Sequence, residues 1–305
     1  MTIIIYIFAF LRKEKCSCSK GEKGACEKCQ KNCFFLLKNR ARCYIIYMYK
    51  YIVCTLACEE DLLEQIYTIP VNEAFDAALV SDTPVCPFCS LFKKLEEDEL
   101  DIILGASMME PDIRQKTNDQ GFCLDHFKKM LIRRRRLGMG LILESHLAEV
   151  KKKLSPTARD LVGGVGTSAL AELLTLEEDC YVCSRIEKNL SAMTATAVYL
   201  YQSDPKFTEK FKGQKMFCLV HFRAMADYAK KKLQKKLFRE FYECAFGILD
   251  GYLTTLTADV SWFCKKFDYR YDEEPWYNSK DSIERAICFL SGDDGTVEQK
   301  KGTNE

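Results

Sequence analysis

The stretches Cys86-Pro87-Phe88-Cys89 and Cys123-Leu124-Asp125-His126 form a pattern that the chain contains twice. The second copy reads Cys180-Tyr181-Val182-Cys183 and Cys218-Leu219-Val220-His221. The Cys-x-x-Cys pairs begin 94 residues apart and the Cys-x-x-His pairs begin 95 residues apart. Because so constant a period is typical of a duplicated structural unit, we predict two tandem repeats.

Each copy supplies three thiolates and one imidazole, which is a ligand set typical of a tetrahedral structural zinc site. Two ligands three residues apart at the start of a helix lie on one face and can reach the same ion. We therefore expect two structural zinc ions per chain, each bound within its own repeat. The predicted ligands are Cys86, Cys89, Cys123 and His126 in the first repeat and Cys180, Cys183, Cys218 and His221 in the second.

Three other interpretations of these cysteines remain open. Buried cysteines often serve only as small apolar core residues. Cys86 and Cys89 also resemble the redox pair of a glutaredoxin-type enzyme, although the sequence before them predicts a helix and not the strand of a thioredoxin-like fold. Mixed cysteine and histidine ligands can also hold an iron–sulfur cluster.

The hydrophobic pattern predicts an all-α fold of helical hairpins with a long C-terminal helix, because apolar residues recur every three or four positions. One long helix is expected from Phe122 to about Leu154. A second is expected from Phe217 to Phe267, with a kink or break near Gly247 or Gly251. The predicted domain bounds are 63–160 for the first repeat, 161–290 for the second, and 291–305 for a disordered tail.

Residues 1–62 differ in composition from the rest of the chain. The first 60 residues carry eleven basic and five acidic residues, whereas the remainder carries 34 basic and 39 acidic ones. They also hold eight of the 17 cysteines, of which five lie close together at positions 16–33 and could bind metal. We expect this extension not to belong to the native protein, whose start would be Met48 or Leu63. The alternative is a segment that associates with membranes.

Composition and motif chemistry favour some classes of function over others but identify no activity. The abundant cysteines and the lack of a convincing export signal favour a reducing cytoplasm over a disulfide framework. A site with four protein ligands leaves no open position for a substrate, so we expect a metal-stabilised interaction or regulatory scaffold with a protein partner. The alternatives are a thiol–disulfide oxidoreductase that uses Cys86 and Cys89, and a nucleic-acid-binding regulator. The mildly acidic body makes the latter the less favoured one.

The segment from about Ile66 to Leu290 resembles an uncharacterised bacterial family catalogued as domain of unknown function 6062. The resemblance depends on Ile66-Tyr67-Thr68-Ile69-Pro70-Val71-Asn72-Glu73-Ala74-Phe75, on Cys86-Pro87-Phe88-Cys89 and on Gly121-Phe122-Cys123-Leu124-Asp125-His126-Phe127. It implies a cytoplasmic bacterial protein and adds no catalytic residue.

Overall fold

The computed structural model describes residues 66–155, 170–171, 174 and 179–293. In these ranges the chain forms ten α-helices, two short 3₁₀ helices (Ala106–Met109 and Tyr269–Tyr271) and no β-strand, which confirms the all-α prediction. The α-helices are α1 Thr68–Val80, α2 Pro87–Leu104, α3 Pro111–Gln120, α4 Leu124–Ile132, α5 Arg136–Lys153, α6 Tyr181–Ser203, α7 Pro205–Lys212, α8 Leu219–Lys232, α9 Lys235–Lys265 and α10 Ser282–Ser291. None of the helices in these ranges is long and apolar enough to cross a bilayer.

By their contacts, the described residues belong to one compact unit that spans residues 62–305. The predicted N-terminal extension and the chain beyond Asp293 lie outside the described residues. Before the second Cys-x-x-Cys pair, residues 170, 171 and 174 are described, and each of them is helical.

Local sequence explains where the two longest helices of the metal motifs begin and end. Helix α2 has Pro87 as its first residue, where the missing N–H costs no hydrogen bond, and it ends at Leu104, directly before Gly105. Helix α6 ends at Ser203 because Pro205 starts α7, whose first turn is capped by the Asp204 side chain, which accepts from the Lys206 N–H at 2.9 Å.

Helices α2 and α6 pack side by side and run in opposite directions. Glu99 in the last turns of α2 pairs with Arg185 in the first turn of α6 at 2.9 Å. At the other end, Phe88 at the start of α2 belongs to the same buried cluster as Tyr201 near the end of α6. The N-terminus of each helix therefore lies beside the C-terminus of the other.

Two apolar cores lie at the two ends of this pair. The larger core is rich in aromatic rings, with the Phe75 centroid 4.9 Å from that of Phe207 and 5.6 Å from that of Phe88. The smaller core surrounds the end of α2 and the start of α6, and includes Ile103 and Val182. Each core contacts one Cys-x-x-Cys pair and one Cys-x-x-His pair.

The long helix expected from Phe122 to Leu154 is broken, so this prediction was wrong. Helices α4 and α5 are separated at Arg133–Arg135, where Arg134 adopts a left-handed backbone with φ 57°. The turn allows the Arg133 side chain to reach the Asp101 carboxylate at 2.6 Å, while Arg135 donates to the Asp101 carbonyl at 3.1 Å. These long-range ion pairs were not visible in the hydrophobic pattern.

The break expected near Gly247 or Gly251 occurs elsewhere. The chain turns at Leu233 and Gln234, and α9 then runs unbroken through both glycines for 31 residues. The turn places Phe241 and Ala245, which are fully buried, in the larger core. A break in the expected helix was therefore predicted correctly, but its position was wrong. Tertiary packing determines where the helix breaks, and the low helix propensity of glycine does not.

The first residues of the expected C-terminal tail belong to the folded part of the chain. Ser291 is the last residue of α10. Asp293 then forms an ion pair with Lys93 at 2.7 Å, and its backbone N–H donates to the Cys89 sulfur at 3.4 Å. The residues through Asp293 are thus part of the folded unit.

Candidate metal centres

The four leading cysteines of the motifs occupy the same structural position. Each is the N-cap of a helix with extended backbone geometry, directly before α2, α4, α6 or α8, and the second ligand of each motif lies in the first helical turn. Unpaired amides and the helix dipole favour a thiolate at this position. The leading cysteines are Cys86, Cys123, Cys180 and Cys218.

The first cluster, called site 1, joins Cys86 and Cys89 at the start of α2 to Cys218 and His221 at the start of α8. The His221 Nδ1 atom lies 3.0 Å from the Cys218 sulfur, 3.4 Å from the Cys89 sulfur and 3.8 Å from the Cys86 sulfur. The sulfurs of Cys89 and Cys218 are 3.6 Å apart.

The second cluster, called site 2, joins Cys123 and His126 at the start of α4 to Cys180 and Cys183 at the start of α6. The His126 Nδ1 atom lies 3.1 Å from the Cys123 sulfur, 3.3 Å from the Cys180 sulfur and 3.4 Å from the Cys183 sulfur. The sulfurs of Cys123 and Cys183 are 3.9 Å apart.

These distances fit one tetrahedral ion in each cluster. With Zn–S bonds of about 2.3 Å and Zn–N bonds of about 2.0–2.1 Å, the edges of a tetrahedron are about 3.8 Å between sulfurs and about 3.6 Å between sulfur and nitrogen. In both clusters all four ligand atoms lie within 4.8 Å of one another. Each set therefore has the size and donor chemistry to hold a metal ion.

The structure brings together all eight predicted ligands but not in the predicted sets. We expected Cys86 and Cys89 to share an ion with Cys123 and His126, and Cys180 and Cys183 to share one with Cys218 and His221. Instead each Cys-x-x-Cys pair meets the Cys-x-x-His pair of the other copy. The prediction that each site forms within one repeat was wrong.

Helix length and direction explain the exchange. The 18 residues of α2 span about 27 Å at 1.5 Å per residue, so the chain leaves α2 far from Cys86. It leaves at the end where α6 begins, and the short helix α3 then leads to Cys123 beside Cys180. The chain leaving α6 likewise returns to the start of α2 and places Cys218 beside Cys89.

A direct backbone contact holds the two halves of site 2 in register. The Gly121 carbonyl accepts a hydrogen bond of 3.0 Å from the N–H of Tyr181, the first residue of α6. Gly121 has φ 66° and ψ −159°, a backbone conformation that is nearly restricted to glycine. This glycine fixes the approach of Cys123 to Cys180.

His126 is oriented by a buried acidic partner. Its Nε2 atom lies 3.2 Å from the Glu96 carboxylate, which also accepts from Lys129 at 2.7 Å and 2.8 Å. Burial raises the pKa of Glu96, but the bonds to His126 and Lys129 outweigh it and the pKa is lowered. A carboxylate in this position fixes the ring orientation of a metal-binding histidine and increases its basicity.

His221 has a different support, since its ring packs against Phe88 with centroids 5.8 Å apart.

Glu96 is a site residue that the motifs do not predict, because it lies in the run Glu96-Glu97-Asp98-Glu99, and such acidic runs are typical of a solvated helix face. Glu96 and Glu99 are instead buried, at 7% and 5% exposure. Their position on the apolar side of α2, in line with Leu100 and Ile103, was the available signal. A carboxylate on that face needs a partner, and Glu96 has His126.

When no metal is bound, the side chains of each cluster shift one another's pKa values. Burial lowers the pKa of His126, but its bonds to Cys180 and Glu96 raise it to about 10. Burial likewise disfavours charged His221, yet Cys86 and Cys89 raise its pKa to about 10. A bond with Cys86 lowers the pKa of Cys218, whereas Cys89 and burial raise it to about 12. A metal ion that binds to these clusters must therefore displace protons from the ligand side chains.

The remaining described cysteines and histidine take no part in either cluster. Cys288 is buried, Cys244 is half-buried and Cys264 is exposed. His146 lies between α5 and α3, where its Nδ1 atom is 3.2 Å from the Asn118 carbonyl oxygen.

Comparison with known proteins identifies a family but no activity. The model of a family described as "Family of unknown function (DUF6062)" matches residues 62–296, which include both clusters. No curated protein and no solved structure matches the chain. With a match over about three quarters of its length, the chain belongs to the DUF6062 family of unknown function.

Proposed function

We propose that residues 62–296 form a helical scaffold of two tandem repeats, fastened by two structural zinc ions, which binds a protein partner in the cytoplasm. The main observation that supports this proposal is that each four-ligand set contains residues from both halves of the unit. Site 1 ties the start of α2 to α8, and site 2 ties α4 to the start of α6. Two ions so placed fasten both ends of the antiparallel α2–α6 pair.

The donor chemistry favours zinc over other metals. Three thiolates and one imidazole on a tetrahedron of this size suit a borderline-soft ion without geometric preference of its own. An iron–sulfur cluster would hold its ligands further apart, because several irons and sulfides lie between them. The sulfur separations of 3.6 Å and 3.9 Å instead match one ion.

Closed coordination supports a structural purpose and not a catalytic one. Four protein ligands fill a tetrahedron, so no position remains for water or substrate. Structural zinc contributes roughly 10–16 kcal/mol of apparent binding free energy. A domain has a net stability of only about 5–15 kcal/mol. Loss of the ions would therefore unfold the unit.

Surface features support a protein partner over a nucleic acid. Helix α9 exposes several large apolar side chains, and such groups commonly mark protein contacts. They include Tyr242, Phe246 and Leu253, which are 39–45% exposed. By contrast, Arg133 and Arg135 of the arginine run are engaged with Asp101, which reduces their availability to phosphates.

The test is metal content together with folding. Protein purified without chelator should contain zinc, and a strong chelator should abolish its helical circular dichroism, which zinc then restores. Helical content that persists after complete metal removal would contradict a structural purpose. A reversible disulfide between Cys86 and Cys89 would instead favour the oxidoreductase, although both side chains are only 2% exposed and a substrate disulfide could not reach them.

A further inference from the structure

The two clusters differ sharply in their access to solvent. In site 1, Cys86, Cys89 and Cys218 are at most 2% exposed, and the Asp293 backbone covers the Cys89 sulfur. In site 2, Cys183 is exposed and Cys123 is half-buried, whereas Cys180 and His126 are buried. Site 2 thus presents sulfur to the solvent and site 1 does not.

Access decides which thiolates can be oxidised. Metal binding keeps a cysteine in its thiolate form, which is the nucleophilic form, and oxidants then select the accessible sulfur. Cys183 meets both conditions. A second accessible thiolate, that of Cys123, has its sulfur 3.9 Å away, close enough to complete a disulfide after a small movement.

We propose that Cys183 is a modification site at which a hydroperoxide oxidises the protein, with Cys123 as the second sulfur, so that the ion of site 2 is released while that of site 1 stays bound. This inference depends on the proposed function, because it requires metal in both sites. The relevant ligand class is a small hydroperoxide such as hydrogen peroxide.

The chemistry balances in two steps. The Cys183 thiolate attacks one oxygen of the hydroperoxide, the O–O bond breaks, and the leaving alkoxide or hydroxide takes a proton, which leaves a sulfenic acid on Cys183. The Cys123 thiolate then attacks that sulfur, the S–O bond breaks, and hydroxide leaves as water after taking a second proton. Two thiolates lose two electrons, and the hydroperoxide gains them.

The structural consequence is confined to one end of the helix pair. The disulfide removes two of four ligands, and the ion cannot stay bound to His126 and Cys180 alone. Glu96 and Lys129, which support the His126 ring, then lose the constraint that the ion imposes. Site 1 continues to hold the opposite end of the pair, so the unit loosens around the smaller core without coming apart.

The experiment treats full-length, metal-loaded protein with hydrogen peroxide and follows metal release with a colorimetric chelator. Disulfides are then located by mass spectrometry of peptides, which separates the described cysteines from those before residue 60. We expect release of one ion per chain, a disulfide between Cys123 and Cys183, and reduced Cys86, Cys89 and Cys218.

Two variants sharpen the test. Cys183→His replaces the exposed thiolate with an imidazole. Its metal content is measured before peroxide is added, and the metal that it binds should then be released at least tenfold more slowly than from the unsubstituted protein. Cys264→Ser removes an exposed cysteine outside both clusters and should release metal as the unsubstituted protein does. Equal release rates in the Cys183→His variant and the unsubstituted protein would overturn the proposal.

Other results overturn the inference in recognisable ways. Release of both ions, a disulfide involving Cys86 or Cys89, or a disulfide between Cys180 and Cys183 would each contradict the assignment of Cys183 and Cys123. Absence of metal before any peroxide is added would instead refute the proposed function itself. The two failures are therefore distinguishable in one experiment.

Discussion

The Cys89 sulfur and the His221 Nδ1 atom lie 3.4 Å apart although 132 positions separate them in the chain. Cys180 and His126 approach to 3.3 Å across 54 positions at the other end of the α2–α6 pair. The first contact joins the start of α2 to α8, and the second joins the start of α6 to α4. Residues of the two clusters thus contact each other at both ends of the α2–α6 pair. The sequence period alone would group the same residues into different sets.

Removing the carboxylate behind His126 should weaken one site only. We expect Glu96→Gln to lower metal affinity at site 2 by about 10–100-fold, because the ring loses its orienting charged partner. Competition with a chelator of known affinity measures this directly. The matched control is Glu99→Gln, which alters a second buried glutamate of α2 that pairs with Arg185 and not with a ligand. Equal weakening in both variants would show that Glu96 acts only through stability.

Gly121 should resist replacement far more than a glycine inside a helix. Gly121→Ala forces a side chain onto φ 66° and ψ −159°, and we expect it to lower the free energy of unfolding by about 1–3 kcal/mol and to weaken metal binding at site 2. Gly247→Ala lies on α9 with no atom within 4 Å of the added carbon and should raise stability by roughly 0.5–1 kcal/mol. Chemical denaturation measures both. A stable Gly121→Ala variant with normal metal affinity would contradict this account of the turn.

Metal affinity should rise with pH. Without an ion, His126 and His221 have pKa values near 10 and Cys218 one near 12, so at neutral pH these groups hold protons that the metal must displace. Apparent affinity therefore increases by about tenfold per pH unit for each proton released, and acidification weakens binding. Zinc titrations in weakly buffered solution with a pH indicator would detect the released protons. An affinity independent of pH would contradict the assignment of these residues as ligands.

The residues of the two sites could be predicted from the sequence because each pair of candidate ligands lies within four consecutive residues. A cysteine and its partner three positions later share a helix face whatever the rest of the fold does, and all eight predicted ligands lie in the two clusters that could hold metal ions. Pro87 at the first position of α2 and Gly105 directly after its last residue are local signals of the same kind.

The pairing of motifs could not be predicted from the sequence because it depends on tertiary direction. The two Cys-x-x-His pairs offer the same residue types to Cys86, and only the antiparallel packing of α2 on α6 decides that Cys218 and not Cys123 approaches it. The break at Arg134 has the same origin, since Asp101 on α2 draws in the arginines on both sides of it. Both features follow from long-range contacts that periodicity does not contain.

The most direct test of the crossed sites is the metal content of two double variants of the full-length protein. Cys89→Ala with His221→Ala removes two ligands of site 1, so we predict the loss of one ion per chain relative to the unsubstituted protein. Cys89→Ala with His126→Ala damages both sites and should lose two. The opposite result, two ions lost in the first variant and one in the second, would show that each ion is bound within a single repeat and would contradict the account.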